Sequence, residues 1–240
     1  MSLVEKLAHG VGILNAVLRS ARWLNPPLEI VYRELLLRDL KRLGIEDVFY
    51  PVGSAANHGL LYAITRAFRE FPITSVLELG CGQSTLLLDA LNRRRNEPIS
   101  IRSVDEDETW ADRMRASVGH EVVVAKLVPK TIRGHAIRHY GDGYFERTKV
   151  YDLIIVDGPV ALPRQDSLAR LGCLEVIETS LASDFIVIVD DAERKGESIL
   201  VDCMRAHFKQ RGTPFGETSI IAAKRQHIFC GGKCQPAMYF

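Results

Sequence analysis

The sequence lacks any apolar run of about 18 residues or more, the length that a transmembrane helix requires. Glu5, Lys6 and His9 interrupt the apolar residues near its beginning, and no small-residue cleavage site follows them. This pattern is not typical of a secretory signal peptide. We therefore expect no transmembrane segment, no leader and a cytoplasmic location.

A strong charge of either sign is also missing. The 240 residues include 31 lysines and arginines and 30 aspartates and glutamates, so that the formal net charge is +1. Without a basic excess we expect no nucleic-acid partner, and without an acidic excess we expect no disordered acidic tail. The length is sufficient for one domain with a substantial core and an extension.

Cysteine is scarce, and the five cysteines follow no regular spacing. An odd number in an irregular pattern does not indicate a disulfide framework. Cys230 and Cys234 lie four positions apart, but they lack the second pair of ligands that a structural zinc site requires. Reduced thiols in a cytoplasmic protein are the simplest interpretation.

The first 50 residues have the apolar spacing of helices. One amphipathic helix is predicted over residues 3–24 and a second over 28–43, with Asn25, Pro26 and Pro27 between them. We assign residues 1–50 to a helical N-terminal extension and residues 51–240 to the main domain. Because exposed apolar helix faces need a partner, we expect this extension to cover part of the domain and to contribute to a homodimer contact.

From residue 74 onward, short β-branched runs alternate with helical stretches, after a third helix predicted over 58–70. Strands are predicted over 74–79, 99–104, 121–128, 152–157 and 185–190, and helices near 84–94, 107–117, 166–182 and 196–211. This alternation predicts a doubly wound α/β fold with a mostly parallel sheet. The runs 218–223 and 227–230 are too close for a crossover, so they predict an antiparallel C-terminal hairpin that completes seven strands.

The first strand of the sheet ends in a glycine-containing turn. Gly80 and Gly82 permit a tight turn with a close approach to the backbone, and a helix begins near Ser84. A dinucleotide fingerprint would have a third glycine at position 85, where this sequence has threonine. Glu78 inside the apolar strand needs a partner, because burial of an unpaired carboxylate is costly. These residues predict a ligand site, the alternative being an ordinary strand-to-helix turn.

Carboxylates follow three further strands. Asp105 ends the second strand, where an acidic side chain can accept hydrogen bonds from the hydroxyls of a ribose, or where it can simply favour a helix N-terminus. Asp157 follows the fourth strand, and Asp190 and Asp191 follow the fifth. Clustered carboxylates share a cation or a proton, so that a Mg²⁺ site is one interpretation. The other is that Asp190 and Asp191 cap the next helix or pair with Arg194.

The order of these features resembles the class I S-adenosylmethionine-dependent methyltransferases. The resemblance covers roughly residues 55–230 and depends on LELGCG, the acidic end of the second strand, VDGP and the terminal hairpin. It implies a Rossmann-like fold of seven strands, S-adenosyl-L-methionine as the cofactor and a transferase of the methyltransferase class.

Two groups within that superfamily are similar in layout. The catechol and caffeoyl-CoA O-methyltransferases hold Mg²⁺ with an Asp and an Asp-Asn pair, and the matching residues here are Asp157, Asp190 and Asp191. The sequence departs from them at Asp191, and it has Gly158 and Pro159 where they carry an acid-rich segment. The plant glucuronoxylan O-methyltransferases share VDGP, followed later by an Arg and then by D-x-x-R-x-x-E, which Asp190 or Asp191, Arg194 and Glu197 match loosely.

The resemblance implies roles for individual residues. Glu78, Gly80, Gly82 and Ser84 would surround the methionine portion of the cofactor, Asp105 would hold the ribose, and Asp157 would lie beside the methyl group. As the catalytic residue, Asp157 would accept the proton of the attacking hydroxyl, unless a Mg²⁺ ion acidifies that hydroxyl. Tyr50 and Arg194 are candidate contacts to the acceptor.

The predicted reaction is the O-methylation of a small-molecule or sugar hydroxyl. Two other functions are compatible with the same pattern. A nicotinamide-dependent oxidoreductase would also use the glycine turn and Asp105, although it would favour the third glycine that is missing. A non-catalytic module would bind S-adenosylmethionine without turnover, and labelled cofactor would distinguish it from an enzyme.

Overall fold

A computed structural model describes residues 24–51, 56–161 and 166–240. The predicted helix over 3–24 lies almost wholly outside these residues. Within the described ranges, no helix has both the length and the apolar character needed to cross a membrane. All five cysteines are free thiols.

The described residues form six α-helices, two 3-10 turns and nine strands. The α-helices are α1 (Leu28–Arg42), α2 (His58–Glu70), α3 (Gln83–Arg93), α4 (Glu108–Arg115), α5 (Leu174–Ser180) and α6 (Lys195–Gln210), and 3-10 turns cover Ala169–Cys173 and Gly232–Tyr239. The strands are β1 (Ser75–Leu79), β2 (Ser100–Asp105), β3 (Glu121–Val124), β4 (Leu127–Ile132), β5 (His135–Tyr140), β6 (Tyr151–Val156), β7 (Leu181–Val189), β8 (Gly216–Ile221) and β9 (Arg225–Gly231).

Seven of these strands make one sheet in the order β3-β2-β1-β6-β7-β9-β8. The strands from β3 to β7 in that order are parallel, whereas β9 is antiparallel to both β7 and β8. The predicted doubly wound, mostly parallel sheet with an antiparallel C-terminal hairpin is therefore confirmed. Because the order reverses at β1, the ends of β1 and β6 diverge into a crevice at the carboxyl edge.

Each central strand is apolar on both faces because helices cover the sheet on both sides. In β6, Leu153 and Ile155 pack in a core with α1, α2 and α3, whereas Ile154 and Val156 pack in a second core with α5 and α6. All four side chains are fully buried. This double burial explains why the strands lack the polar alternation of a half-exposed sheet.

The predicted third strand, over 121–128, was wrong in its second half. Strand β3 ends at Val124, and β4 pairs with β5 as a separate antiparallel hairpin. Arg133 and Gly134 connect the two strands with φ values of 50° and 80°, which is the left-handed conformation that tight two-residue hairpins use. The local turn and its cross-strand hydrogen bonds thus take residues 127–132 away from the main sheet.

The predicted helix over 166–182 was also only partly correct. A 3-10 turn over Ala169–Cys173 precedes α5, and β7 already begins at Leu181. Leu181 pairs with Tyr151 of β6, so that the sheet takes up residues for which the local pattern predicts a helix.

Helix α1 packs closely on the main domain. Leu36, Leu40 and Ile45 are buried in the same core as α2. The fully buried carboxylate of Asp39 lies 2.5 Å from the guanidinium of Arg69. The boundary between the extension and the main domain at residue 50 stays a prediction.

Candidate functional site

A cleft of about 900 Å³ opens at the carboxyl edge of the sheet. Its walls come from the segments that follow β1, β2, β6 and β7, where a doubly wound sheet binds its ligands. Seven of the residues predicted for the site line it: Gly80, Gly82, Ser84, Asp105, Asp157, Asp191 and Arg194. Three others, Glu78, Tyr50 and Asp190, lie next to the cleft without lining it.

The two glycines of the β1 turn have different structural roles. Gly80 has a φ of +92°, and a Cβ there would lie 2.8 Å from the backbone nitrogen of Gly158. The turns after β1 and β6 are therefore packed backbone against backbone. A Cβ on Gly82 would meet nothing within 4 Å, so that Gly82 leaves open space beside the first turn of α3. Backbone that is accessible in this way suits the close approach of a ligand.

Two hydrogen bonds of the Thr85 side chain stabilise the turn after β1. Its hydroxyl accepts the Gly82 N–H at 2.8 Å and donates to Glu78 Oε2 at 2.7 Å. Glu78 is fully buried, and its Oε1 has no hydrogen-bond partner among the described residues. Burial raises the pKa of Glu78 to about 7, although nearby hydroxyl groups oppose the shift. The threonine that replaces a third glycine thus connects the turn to the buried acid.

Asp105, the last residue of β2, faces the glycine turn across the crevice. Its carboxylate accepts the N–H groups of Cys81 and Asp107, each at 2.9 Å. Burial raises the pKa of Asp105, although both backbone hydrogen bonds oppose the shift. Each carboxylate oxygen has more than one acceptor site, so that Asp105 keeps capacity for hydroxyl groups of a ligand.

Two residues that the sequence analysis did not single out build the adjacent wall. Glu106 accepts the N–H of Val160 at 2.9 Å and the hydroxyl of Tyr140 at 3.2 Å, which ties the loop after β6 to the end of β5. Trp110 donates its indole N–H to the carbonyl of Cys81 at 2.8 Å and keeps 38% of its surface exposed. The signal available in the sequence was a tryptophan near the start of a predicted helix that follows an acidic strand end.

The three aspartates after β6 and β7 meet as predicted. Oxygens of Asp157, Asp190 and Asp191 all lie within 4.8 Å of one another. Asp191 has a φ of 57°, which aspartate tolerates better than most residues. Burial raises the pKa of Asp157 well above its usual range, and the Asp190 carboxylate adds to this effect.

Protein cations neutralise this aspartate cluster, and the sequence analysis missed two of them. Lys224, in the turn between β8 and β9, places its ammonium 3.1 Å from Asp190 and 3.2 Å from Asp191. Arg170, on the 3-10 turn before α5, lies 3.1 Å from Asp157 and 3.2 Å from Asp191. Neither position carries a local sequence signal, because both are brought in by distant parts of the chain.

The aspartate cluster therefore does not fit a Mg²⁺ ion. Mg²⁺ requires oxygen ligands at about 2.1 Å in an octahedral arrangement and no competing cation among them. Here the ammonium of Lys224 is already paired with two of the three carboxylates.

The two predicted acceptor contacts differ in position. Arg194 lines the cleft and lies 3.0 Å from Asp191, with about half of its side chain exposed. Tyr50 donates its backbone N–H to the side chain of Gln83 at 2.8 Å, and Gln83 does line the cleft. Tyr50 as a whole residue is 66% exposed. Arg194 is thus available to a ligand directly, whereas Tyr50 stands at the rim.

Comparison with known proteins identifies the fold. No protein-family model and no curated protein sequence matches the chain. A methyltransferase from Podospora anserina, solved with bound SAH, is 13% identical and superposes with a TM-score of 0.50 over 97% of this chain and 98% of its own. An O-methyltransferase from Bacillus cereus in complex with SAH is 14% identical, with a TM-score of 0.48 over 83% and 91% of the two chains.

A third structure is the O-methyltransferase TomG from Streptomyces achromogenes, which is involved in tomaymycin synthesis and was solved with SAM. It is 12% identical, with a TM-score of 0.47 over 89% of this chain and 99% of its own. Identities this low bear on the fold alone. Together with the strand order and the terminal hairpin, the full-length similarity to the Podospora anserina structure shows that the chain has the same Rossmann-like fold as that methyltransferase.

Proposed function

We propose that this protein is an S-adenosylmethionine-dependent methyltransferase that acts on a hydroxyl group of a small molecule or a sugar. The observation that carries the proposal is the pairing of the glycine turn with Asp105 on one cleft. The Cys81 N–H bonds to Asp105, and Gly82 beside it leaves open space where a side chain would otherwise stand. A nucleoside ligand needs both an accessible backbone turn and a carboxylate for its ribose.

The cofactor would be held by residues of three neighbouring segments. Gly80, Gly82 and Ser84 would border its methionine portion, and Asp105 would accept the hydroxyls of its ribose. Glu78 supports this site from beneath through Thr85. When bound, S-adenosylmethionine supplies a positively charged sulfur that carries a transferable methyl group.

Asp157 is the proposed catalytic residue. It lines the cleft, and the guanidinium of Arg170 holds its Oδ1 at 3.1 Å. In its ionised form Asp157 can accept the proton of an attacking hydroxyl; the raised pKa makes that form more basic and at the same time lowers the fraction that is ionised. Orientation of that hydroxyl by the cleft walls is the other contribution of the chain.

The acceptor is proposed to lie between Asp157 and Arg194, with Tyr50 at the rim. A mixed lining of carboxylates and arginine suits a polar acceptor with several hydroxyl groups, such as a carbohydrate. A homodimer and a cytoplasmic location stay predictions of the sequence.

Calorimetric titration with S-adenosylmethionine, S-adenosylhomocysteine and NAD⁺ tests the cofactor. The proposal expects both sulfur compounds to bind and NAD⁺ not to bind, and the reverse result would favour an oxidoreductase. Transfer of a labelled methyl group to a panel of hydroxyl acceptors tests the reaction. Asp157→Asn should bind the cofactor and lose transfer, whereas cofactor binding without transfer to any acceptor would favour a non-catalytic module.

A further inference from the structure

The turn between β8 and β9 brings a lysine to the carboxyl edge of the sheet. Because β9 runs antiparallel to β7 and β8, this turn lies beside the end of β7. The turn is closed by a hydrogen bond of 2.9 Å from the Ala222 N–H to the Lys224 carbonyl. The Lys224 side chain is only 15% exposed. It is therefore directed inward to the aspartate cluster rather than into solvent.

The contacts of the Lys224 ammonium are specific. It donates to Asp190 Oδ2 at 3.1 Å and lies 3.2 Å from Asp191 Oδ1, so that one cation bridges two carboxylates. Gln226 donates to the remaining oxygen of Asp190 at 2.5 Å. Arg170 and Arg194 both lie near the other oxygen of Asp191, at 3.2 Å and 3.0 Å.

The negative charges of the aspartate cluster are balanced by side-chain cations of the protein. Three carboxylates so close together require positive charge or a shared proton among them. Lys224 is the cation that Asp190 and Asp191 share, and Arg170 is the cation that Asp157 and Asp191 share. A divalent ion placed among the same oxygens would face the ammonium at close range without a shielding ligand.

We propose that Lys224 is the built-in cation of this site, occupying with its ammonium the place between Asp190 and Asp191 that a divalent metal would otherwise take. The parent chain then binds no metal there, and removal of the ammonium opens a metal site. The expectation that methyl transfer needs no metal rests on the function proposed above. Metal binding, in contrast, can be measured without any enzymatic activity.

The test uses Mn²⁺ as the probe, with electron paramagnetic resonance and calorimetry on the full chain. The parent chain should show no saturable binding that depends on Asp190. Lys224→Met should gain one saturable Mn²⁺ site that the parent chain lacks. Lys224→Arg should restore the parent behaviour, because it returns a cation. The double variant Lys224→Met/Asp190→Asn should lose the gained site.

Circular dichroism verifies that each variant is folded, and Lys224→Gln replaces Lys224→Met if the latter is not. The proposal is overturned if the parent chain binds Mn²⁺ at a site that Asp190→Asn abolishes. It is equally overturned if a folded variant without the ammonium binds no Mn²⁺. Once an acceptor is known, a chelator should leave the rate of methyl transfer unchanged. Loss of methyl transfer in the presence of the chelator would also overturn the proposal. A complete absence of methyl transfer would count against the proposed function and leave the Mn²⁺ result intact.

Discussion

Gln226 and Asp190 are joined by a hydrogen bond of 2.5 Å from the side-chain amide nitrogen to a carboxylate oxygen, and both residues are fully buried. The same amide nitrogen donates to Asn57 at 2.8 Å. Asn57 in turn donates to Glu29 of α1 at 2.9 Å. A continuous chain of polar contacts thus connects α1 to the aspartate cluster.

Gln226→Leu should lower the free energy of unfolding by about 1–3 kcal/mol, because it leaves the buried oxygens of Asp190 and Asn57 without this donor. Urea denaturation measures the change. Gln210→Leu, at the exposed end of α6, is the matched control and should change stability little. Equal effects of the two substitutions would show that the buried amide contributes nothing particular.

The two glycines of the β1 turn should respond differently to alanine. Gly80→Ala should destabilise the protein by about 2 kcal/mol or more, since its φ of +92° disfavours a side chain and the new Cβ would clash with the backbone after β6. Gly82→Ala should change the free energy of unfolding by no more than about 0.5 kcal/mol, because the new Cβ would enter open space.

Cofactor binding completes that comparison. If the cofactor passes over Gly82, the folded Gly82→Ala protein should bind S-adenosylhomocysteine more weakly than the parent chain in calorimetry. Unchanged affinity would remove Gly82 from the proposed binding surface, and a stable Gly80→Ala protein would contradict the close packing of the two turns.

Asp105→Asn should weaken the binding of S-adenosylhomocysteine by about 1.5–3 kcal/mol, or about tenfold to a hundredfold, because an amide nitrogen cannot accept the ribose hydroxyls. Asp142→Asn removes a carboxylate whose side chain is 95% exposed and should not change the affinity. Calorimetry compares the two, with thermal melting as the check of folding. Equal affinities for the parent and Asp105→Asn would exclude Asp105 from the site.

Glu78 should make stability depend on pH. Its pKa is about 7 in the folded protein against an ordinary value of 4.5. Because its pKa is raised, Glu78 stays protonated to a higher pH in the folded state than in the unfolded state. Its contribution to stability is therefore present below pH 4.5 and is lost as the pH rises to about 7. The loss is roughly 3 kcal/mol.

The glutamine in Glu78→Gln cannot ionise, so this variant should not lose stability in this way as the pH rises. Relative to the parent chain, its free energy of unfolding should therefore increase between pH 5 and pH 8, as measured by urea denaturation at both values. Glu97→Gln, at an exposed position, should show no such trend. A difference between Glu78→Gln and the parent that does not vary with pH would mean that Glu78 is ionised throughout this range.

Local sequence was sufficient to predict most of the framework. The spacing of apolar residues predicted α2 over 58–70, which is its observed extent, and the short link between 223 and 227 predicted the terminal hairpin. The order of glycine turn and acidic strand ends predicted seven of the residues that line the cleft, since the ends of parallel strands share one edge. The hairpin of β4 and β5 was missed, although Arg133-Gly134 between two alternating segments was a local signal for it.

The sequence by itself determined the alternation of strands and helices, and with it the positions of Asp105, Asp157, Asp190 and Asp191 at the carboxyl edge. Only the tertiary structure decided what neutralises those carboxylates. Lys224 lies 34 positions beyond Asp190 in the chain, yet the antiparallel course of β9 brings it within 3.1 Å. Periodicity reports which face a residue occupies, whereas the partner of a buried charge depends on the packing of distant segments, which no local pattern records.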